Sequence, residues 1–328
     1  MKNTIDTPLE LLELVKIYYP SLYNIEQEYA ISLLKYSENY TFLIELENEK
    51  RILRVNRPNY HTLEELNSEV VWMDMLSAET DLILPEIIVG KNNELIKSFQ
   101  SENSGITYYC SLFSFMSGTI VKNINKAELL KKMAGIGEIT SKLHSYVINN
   151  NVNLKRFEWN YETLFGDGAR WGDWREFKGL TLDNFSTIKK CLFISKNRLE
   201  SFGKGTRKYG LIHSDLHLSN IITDGNILKV IDFDDCGYSW YLYDLGCSLV
   251  EYSDGLEELI QAWIVGYEKI KTLTIEEKAE LPTFILMRRI VRLAWLSSHS
   301  DSDTAKSVDD NYLAKTIELC QKYLSSNK

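Results

Sequence analysis

One stretch constrains this chain more than any other: GLIHSDLHLSNIITDGNILKVIDFDD, residues 210–235. It crowds His213, Asp215, His217, Asn220, Asp232, Asp234 and Asp235 around what reads as one short hairpin. Asp224-Gly225 is a strong signal for a two-residue turn, with Ile221-Ile222-Thr223 before it and Asn226 to Ile231 after it. That turn predicts that Asp232 falls opposite His217, beside the loop that carries Asp215 and Asn220. Side chains distant in sequence then converge on one polar spot, which is either a reactive site or a costly loop.

The rest of the composition narrows the choice. With 328 residues, 44% hydrophobic and 25% charged, the chain is long enough for one large or two medium domains with real cores. Its first residues lack the basic, apolar and small-residue order of a secretory signal, and no run approaches 18 apolar residues, so a cytoplasmic protein with no membrane partner is expected. Five cysteines stand without a C-x-x-C pair, which argues against a disulfide framework and a cysteine zinc site. A net charge of −9 repels a polyphosphate backbone, so no nucleic-acid partner is expected. A small phosphorylated ligand stays compatible if a metal ion screens the contact.

Along the chain, Thr7-Pro8-Leu9-Glu10 opens a helix with a capping box and a proline in its first turn. YTFLIEL (40–46) and RILRVNR (51–57) read as a hairpin across ENEK. EELNSEVVWMDMLSA has helical spacing, with Leu66, Val70, Met73 and Leu76 on one face and Glu69 on a neighbouring one. Further strands are expected near 86–89, 95–99 and 107–113. Asn125 caps a long helix to about Ile148, and Thr274 marks another helix start. A strand-rich first third and a helix-rich remainder predict an α+β, bilobal architecture: a lobe at 1–112, a hinge at 113–119, and a helical lobe at 120–328, with a cleft between them.

Two carboxylates and an amide suit phosphoryl transfer, which needs a carboxylate for the hydroxyl proton and oxygen ligands for Mg2+ on nucleotide phosphates. His213, Asp215 and Asn220 have the spacing H-x-D-x-x-x-x-N of the protein-kinase loop, and Asp232-Phe233 stands where the metal-binding Asp-Phe follows. Here the sequence resembles the aminoglycoside phosphotransferase and choline kinase superfamily, and within it the branch of bacterial stress-response serine/threonine kinases, homoserine kinase type II and hydroxylysine kinase. The resemblance rests on SENYTF, RILRVNRPNY, SEVVWM, RWGDWRE, HSDLHLSN, VIDFDDCGYSWYLYDLG and LPTFILMRRIVRLAWL. It implies a protein-kinase-like fold with a small antiparallel-sheet lobe and a larger helical lobe. The implied activity is ATP- and Mg2+-dependent transfer of the γ-phosphoryl group to a hydroxyl of a small, amine-bearing molecule. Position by position, it implies Asp215 as catalytic base, Asn220 and Asp232 as Mg2+ ligands, and His213 as a buttress of the loop. Asp244 would hold that loop by hydrogen bonds. Ser37, Glu38 and Asn39 would lie in the turn over the nucleotide phosphates, and Glu69 would pair with the basic residue on the second hairpin strand.

That basic residue is Arg54, where kinases usually place lysine. Glycine-rich G-x-G-x-x-G and Walker patterns are absent; FGKGT (202–206) imitates the latter but fails its spacing. Ser214 occupies a place where relatives often carry glycine, and its hydroxyl is expected to face solvent rather than phosphate. His217 reads as a loop-stabilising histidine, and Asp234 and Asp235 as turn caps in preference to ligands of a second metal or a cationic substrate. Trp171, Trp174 and Arg175 either line the acceptor pocket or pack. LMRRIVRLAWL describes a buried helix with a basic edge. Other readings stand beside the kinase: a protein serine/threonine kinase, a nucleotide-binding pseudokinase suggested by Arg54, and a Zn2+ or Mn2+ hydrolase using the alternating His213, Asp215 and His217.

Overall fold

The computed structural model describes residues 5–327 apart from 37–38, 123, 301, 307 and 310. The chain divides into two units, residues 1–119 with 229–234, and residues 120–228 with 235–328.

In the first unit, α1 (Pro8–Tyr23) starts at the capping box of Thr7 and Glu10. Strands β1 (Tyr29–Tyr36), β2 (Tyr40–Leu46) and β3 (Lys50–Val55) follow, then α2 (Leu63–Glu79), opened by a second capping box of Thr62 and Glu65. β4 (Ile87–Ile88), β5 (Lys97–Gln100) and β6 (Thr107–Ser114) complete an antiparallel sheet of order β1-β2-β3-β6-β4, with β5 also on β6. Alternation along the strands decides its two faces. Tyr40, Phe42, Ile44, Leu53 and Val55 pack with Leu11, Val15 and Tyr19 of α1 into a closed apolar core. Arg54, between Leu53 and Val55, therefore projects from the opposite face, where Glu69 of α2 meets it.

The second unit is mostly helical. After the short β7 (Thr119–Ile120) come α3 (Lys126–Asn150), α4 (Tyr161–Phe165), α5 (Leu182–Phe202) and β8 (Tyr209–Ile212). β9 (Ile221–Asp224), β10 (Ile227–Val230) and β11 (Gly237–Trp240) precede α6 (Tyr243–Leu249), α7 (Leu256–Tyr267), α8 (Ile275–Ser298), α9 (Asp303–Lys306) and α10 (Tyr312–Ser326). β11 pairs antiparallel with β8, and the loop 213–220 leaves from the end of β8. α3 and α7 approach at glycines: a Cβ on Gly137 would stand 2.1 Å from the Trp263 carbonyl oxygen, and one on Gly266 1.8 Å from that of Ala134.

The turn between β9 and β10 corrects the sequence expectation. It falls on Gly225-Asn226, one residue later than Asp224-Gly225, because Gly225 takes the first central position with φ +59°. The shift changes the strand partners, so the expected facing of Asp232 and His217 no longer follows.

Candidate active site

The H-x-D-x-x-x-x-N loop of the second unit is held from below by one short helix. Asp244 on α6, 0% exposed, accepts the His213 N–H at 3.3 Å and the Ser214 N–H at 2.7 Å. One helical turn on, the Cys247 thiol donates to the Ser214 carbonyl at 2.8 Å, and the Ser248 hydroxyl to the Leu216 carbonyl at 2.8 Å. Residues at i, i+3 and i+4 share a helix face, so one face of α6 satisfies four backbone groups of the loop. Asp244 is itself fixed by His144 of α3, whose Nε2 stands at 3.1 Å and whose Nδ1 takes the Tyr267 hydroxyl at 3.0 Å. Burial lowers the pKa of His144, so the ring is a neutral donor to Asp244. Cys247 and Ser248 were not expected at the site; their spacing from Asp244 was the available signal.

Asp215 is gripped at both oxygens. Asn220 Nδ2 donates to its Oδ2 at 3.0 Å and to its carbonyl at 2.9 Å. His217 Nδ1 accepts the Ser219 N–H at 3.3 Å, which puts the ring proton on Nε2, 3.3 Å from Asp215 Oδ2. Asp215 Oδ1 takes Arg288 Nη2 of α8 at 2.5 Å. Burial pushes the Asp215 carboxyl up, but His217, Arg288 and His213 outweigh it and hold it below the usual carboxylate range. Because its nitrogen is committed to Asp215, the Asn220 amide has its oxygen left to serve as a hard ligand. His213 is fully buried, and its Nδ1 accepts the Asp215 N–H at 3.3 Å. Both histidines turn Nδ1 to the loop backbone. Among the described residues no three His, Cys, Asp or Glu side chains gather to hold a metal ion.

Ser214 departs from expectation. It is 1% exposed at φ +67°, and its hydroxyl has no partner among the described residues, so it faces neither solvent nor a hydrogen-bonding group. A cavity of about 270 Å³ in this unit is lined by His217, Leu218, Ser219, Ser248, Glu251 and Tyr252, with residues 121, 122, 124 and 129. Glu251 pairs with Arg292 of α8 at 3.0 Å. Trp174, 4% exposed, stacks on Phe185 and is not among the cavity residues. Arg175 pairs with Asp173, and Trp171 lies under the Arg288 guanidinium at 4.2 Å. Asp235 belongs to this unit and is buried; its carbonyl accepts the Trp159 indole N–H at 2.8 Å.

In the first unit, Arg54 and Glu69 form a two-pronged pair, Nη1 to Oε1 at 2.8 Å and Nη2 to Oε2 at 2.7 Å, with Glu69 0% exposed. The pair is buried rather than at the surface. Asp234 lies 3.7 Å from Arg54 Nη1, 3.4 Å from His61 Nε2 and 3.3 Å from Asn56 Nδ2. Burial raises its pKa, but His61 and Arg54, aided by Asn39, hold the carboxyl well below the ordinary range. Asp234 is therefore a member of a buried charge network, not the turn cap expected. Asn39 also accepts the Arg57 N–H at 3.0 Å. Asp232 is exposed and holds φ +68°, a conformation disfavoured for aspartate that persists where surroundings impose it. Ser37 and Glu38 lie outside the described residues.

The chain is similar to known phosphotransferases. The phosphotransferase enzyme family matches residues 33–281. A microcompartment-associated aminopropanol kinase is 29% identical and superposes with a TM-score of 0.85 over 96% of this chain and 98% of that one. Amicoumacin kinase hAmiN, solved with AMP-PNP, Ca2+ and Ami, is 18% identical with a TM-score of 0.74 over 96% and 93% of the two chains. Amicoumacin kinase of Bacillus subtilis (strain 168) is 22% identical over 298 residues, covering 87% of this chain and 84% of that protein. Matched over most of its length, and folded like these kinases, the chain belongs to the phosphotransferase enzyme family.

Proposed function

We propose that the protein is an ATP- and Mg2+-dependent cytoplasmic kinase that phosphorylates the hydroxyl of a small amine-bearing molecule. The observation that carries this reading is the pinned pair of Asp215 and Asn220, 3.0 Å apart, in the H-x-D-x-x-x-x-N loop of a phosphotransferase. Asp215 orients the acceptor hydroxyl and takes its proton. The acceptor oxygen then bonds to the γ-phosphorus as the bond from that phosphorus to the β–γ bridging oxygen breaks, and ADP leaves. Asn220, through its free amide oxygen, and Asp232, through its exposed carboxylate, have the oxygen chemistry Mg2+ prefers. Once bound, the metal offsets charge on the nucleotide phosphates. Arg54, its charge set by Glu69 and Asp234, and Asn39 are assigned to the nucleotide side.

The cavity beside His217 suits the acceptor: its volume of about 270 Å³ accommodates a short amino alcohol, and Glu251, which meets Arg292 through Oε1 alone and is far more exposed than Asp215, has its second oxygen for an ammonium group. Similarity to an aminopropanol kinase supports the same class. Five buried free cysteines accord with a reducing compartment, and among the described residues no helix is long and apolar enough to cross a membrane. The test is ATP consumption over short amino alcohols, hydroxy amino acids, aminoglycosides and a generic protein substrate. Mg2+-dependent ADP release with a short amino alcohol, abolished by EDTA, is the expected result. Transfer to the protein substrate alone would contradict the proposal.

A further inference from the structure

Helix α8 carries three buried arginines, Arg288, Arg289 and Arg292, in an otherwise apolar run. A buried guanidinium is costly unless its donors are met, so each should show what it is there to hold. Arg289 answers at once: Nη1 donates to the Val250 and Tyr252 carbonyls at 3.0 and 3.1 Å, Nε to the Thr316 hydroxyl at 3.2 Å, and its face lies on Tyr312. It ties α8 to the end of α6 and to α10. Arg292 reaches Glu251 at 3.0 Å and lies over Trp295.

Arg288 is different. It is 1% exposed, its plane rests on Trp171 at 4.2 Å, and Tyr243 and Cys247 flank it. Nε and Nη1 have no hydrogen-bond partner among the described residues, whereas Nη2 meets Asp215 Oδ1 at 2.5 Å. The space for it exists because Gly246 of α6 lacks a side chain; a Cβ there would stand 3.0 Å from Arg288 Cβ. A desolvated cation whose one ion pair is with Asp215 is poorly explained as a brace for the fold alone, since Arg289 does that work on the same helix.

We propose that Arg288 is a positioning residue that aims the Asp215 carboxylate at the acceptor hydroxyl and keeps it from serving as a counter-ion for the acceptor's ammonium group. With Oδ2 held by Asn220 and His217 and Oδ1 by Arg288, the carboxylate plane cannot rotate, and phosphoryl transfer depends on such alignment more than on base strength. The neighbouring charge also matters: an amine-bearing acceptor meets a carboxylate already neutralised by arginine, so its ammonium is directed elsewhere and its hydroxyl is presented to Asp215. This inference rests on the kinase reading above.

The experiment measures steady-state kinetics of Arg288→Gln, Arg288→Lys, Asp215→Asn and Asp215→Asn/Arg288→Gln with ATP and two acceptors of equal length, an amino alcohol and the matching diol. Arg288→Gln is expected to lower kcat for the amino alcohol about 100-fold while the KM for ATP stays within about threefold, with a smaller loss for the diol. Arg288→Lys should recover about a tenth of the wild-type rate, and the double variant should be no slower than Asp215→Asn. Additive losses in the double variant, equal losses for the two acceptors, or a parallel rise in the KM for ATP would overturn the proposal. If Arg288→Gln does not fold, Trp171→Leu keeps the charge and removes the plane that aims it; an unchanged kcat there would also overturn it. Should Asp215→Asn itself retain turnover, the kinase assignment fails instead.

Discussion

Ser214 shows how a single residue stores strain inside a working loop. Its positive φ and its unpartnered buried hydroxyl each cost about 1 kcal/mol or more, and both vanish with glycine. Ser214→Gly should therefore raise the unfolding free energy by about 1–2 kcal/mol in urea titration with turnover retained; a loss of stability would show that the hydroxyl has a partner in solution. Arg54 behaves in the opposite way. Removing it strands Glu69 and Asp234 in the interior, so Arg54→Ala is expected to cost about 3–5 kcal/mol. Its KM for ATP should also rise more than tenfold, and a change of only a few fold would exclude a phosphate clamp. Sequence reading named Arg54 and Glu69 as partners through the family resemblance, which assigns both places, and not through spacing. It missed Arg288 because the partner is 73 residues away and only tertiary packing brings the two together.

At the scale of elements, local signals were read well and two-sided choices were not. The helix starts at Thr7, Thr62, Asn125 and Thr274 all carry side-chain caps, which depend on hydrogen bonds within four residues and are therefore visible in sequence. Thr62 itself, like the strand Tyr29–Tyr36, had not been anticipated; that strand lies at the sheet edge with five of its eight residues exposed, so its hydrophobic pattern is weak. The β9–β10 turn slipped by one because Asp-Gly and Gly-Asn are both hairpin signals. Helix α6 is the decisive element: Ser248→Ala removes a hydroxyl shared between the Leu216 and Asp244 carbonyls and is expected to cost about 1 kcal/mol, with kcat lowered while the KM for ATP is unchanged. Equal kcat would place that end of the loop outside the reacting geometry. The α3–α7 contact gives a packing test. Gly266→Ala should destabilise by about 1–3 kcal/mol, whereas Gly168→Ala, with nothing within 4 Å, should be close to neutral.

For the whole molecule, the two units are not two consecutive halves of the sequence. Residues 229–234 return to the first unit, carrying Asp232 and Asp234, while Asp215, Asn220 and Asp244 stay in the second. No composition shift marks that return, which is why sequence order alone suggested a single late lobe. The family and the reacting loop were legible because H-x-D-x-x-x-x-N is a contiguous pattern with a chemical reason for each position; the acceptor was not, since it is chosen by side chains from several elements. The most direct test compares Asp215→Asn with wild type for Mg2+-dependent phosphorylation of a short amino alcohol and, by calorimetry, for binding of a non-hydrolysable ATP analogue. Loss of turnover by about 10²–10⁴-fold, with analogue affinity within about threefold, is the predicted result. Near-normal turnover in that variant would contradict the account.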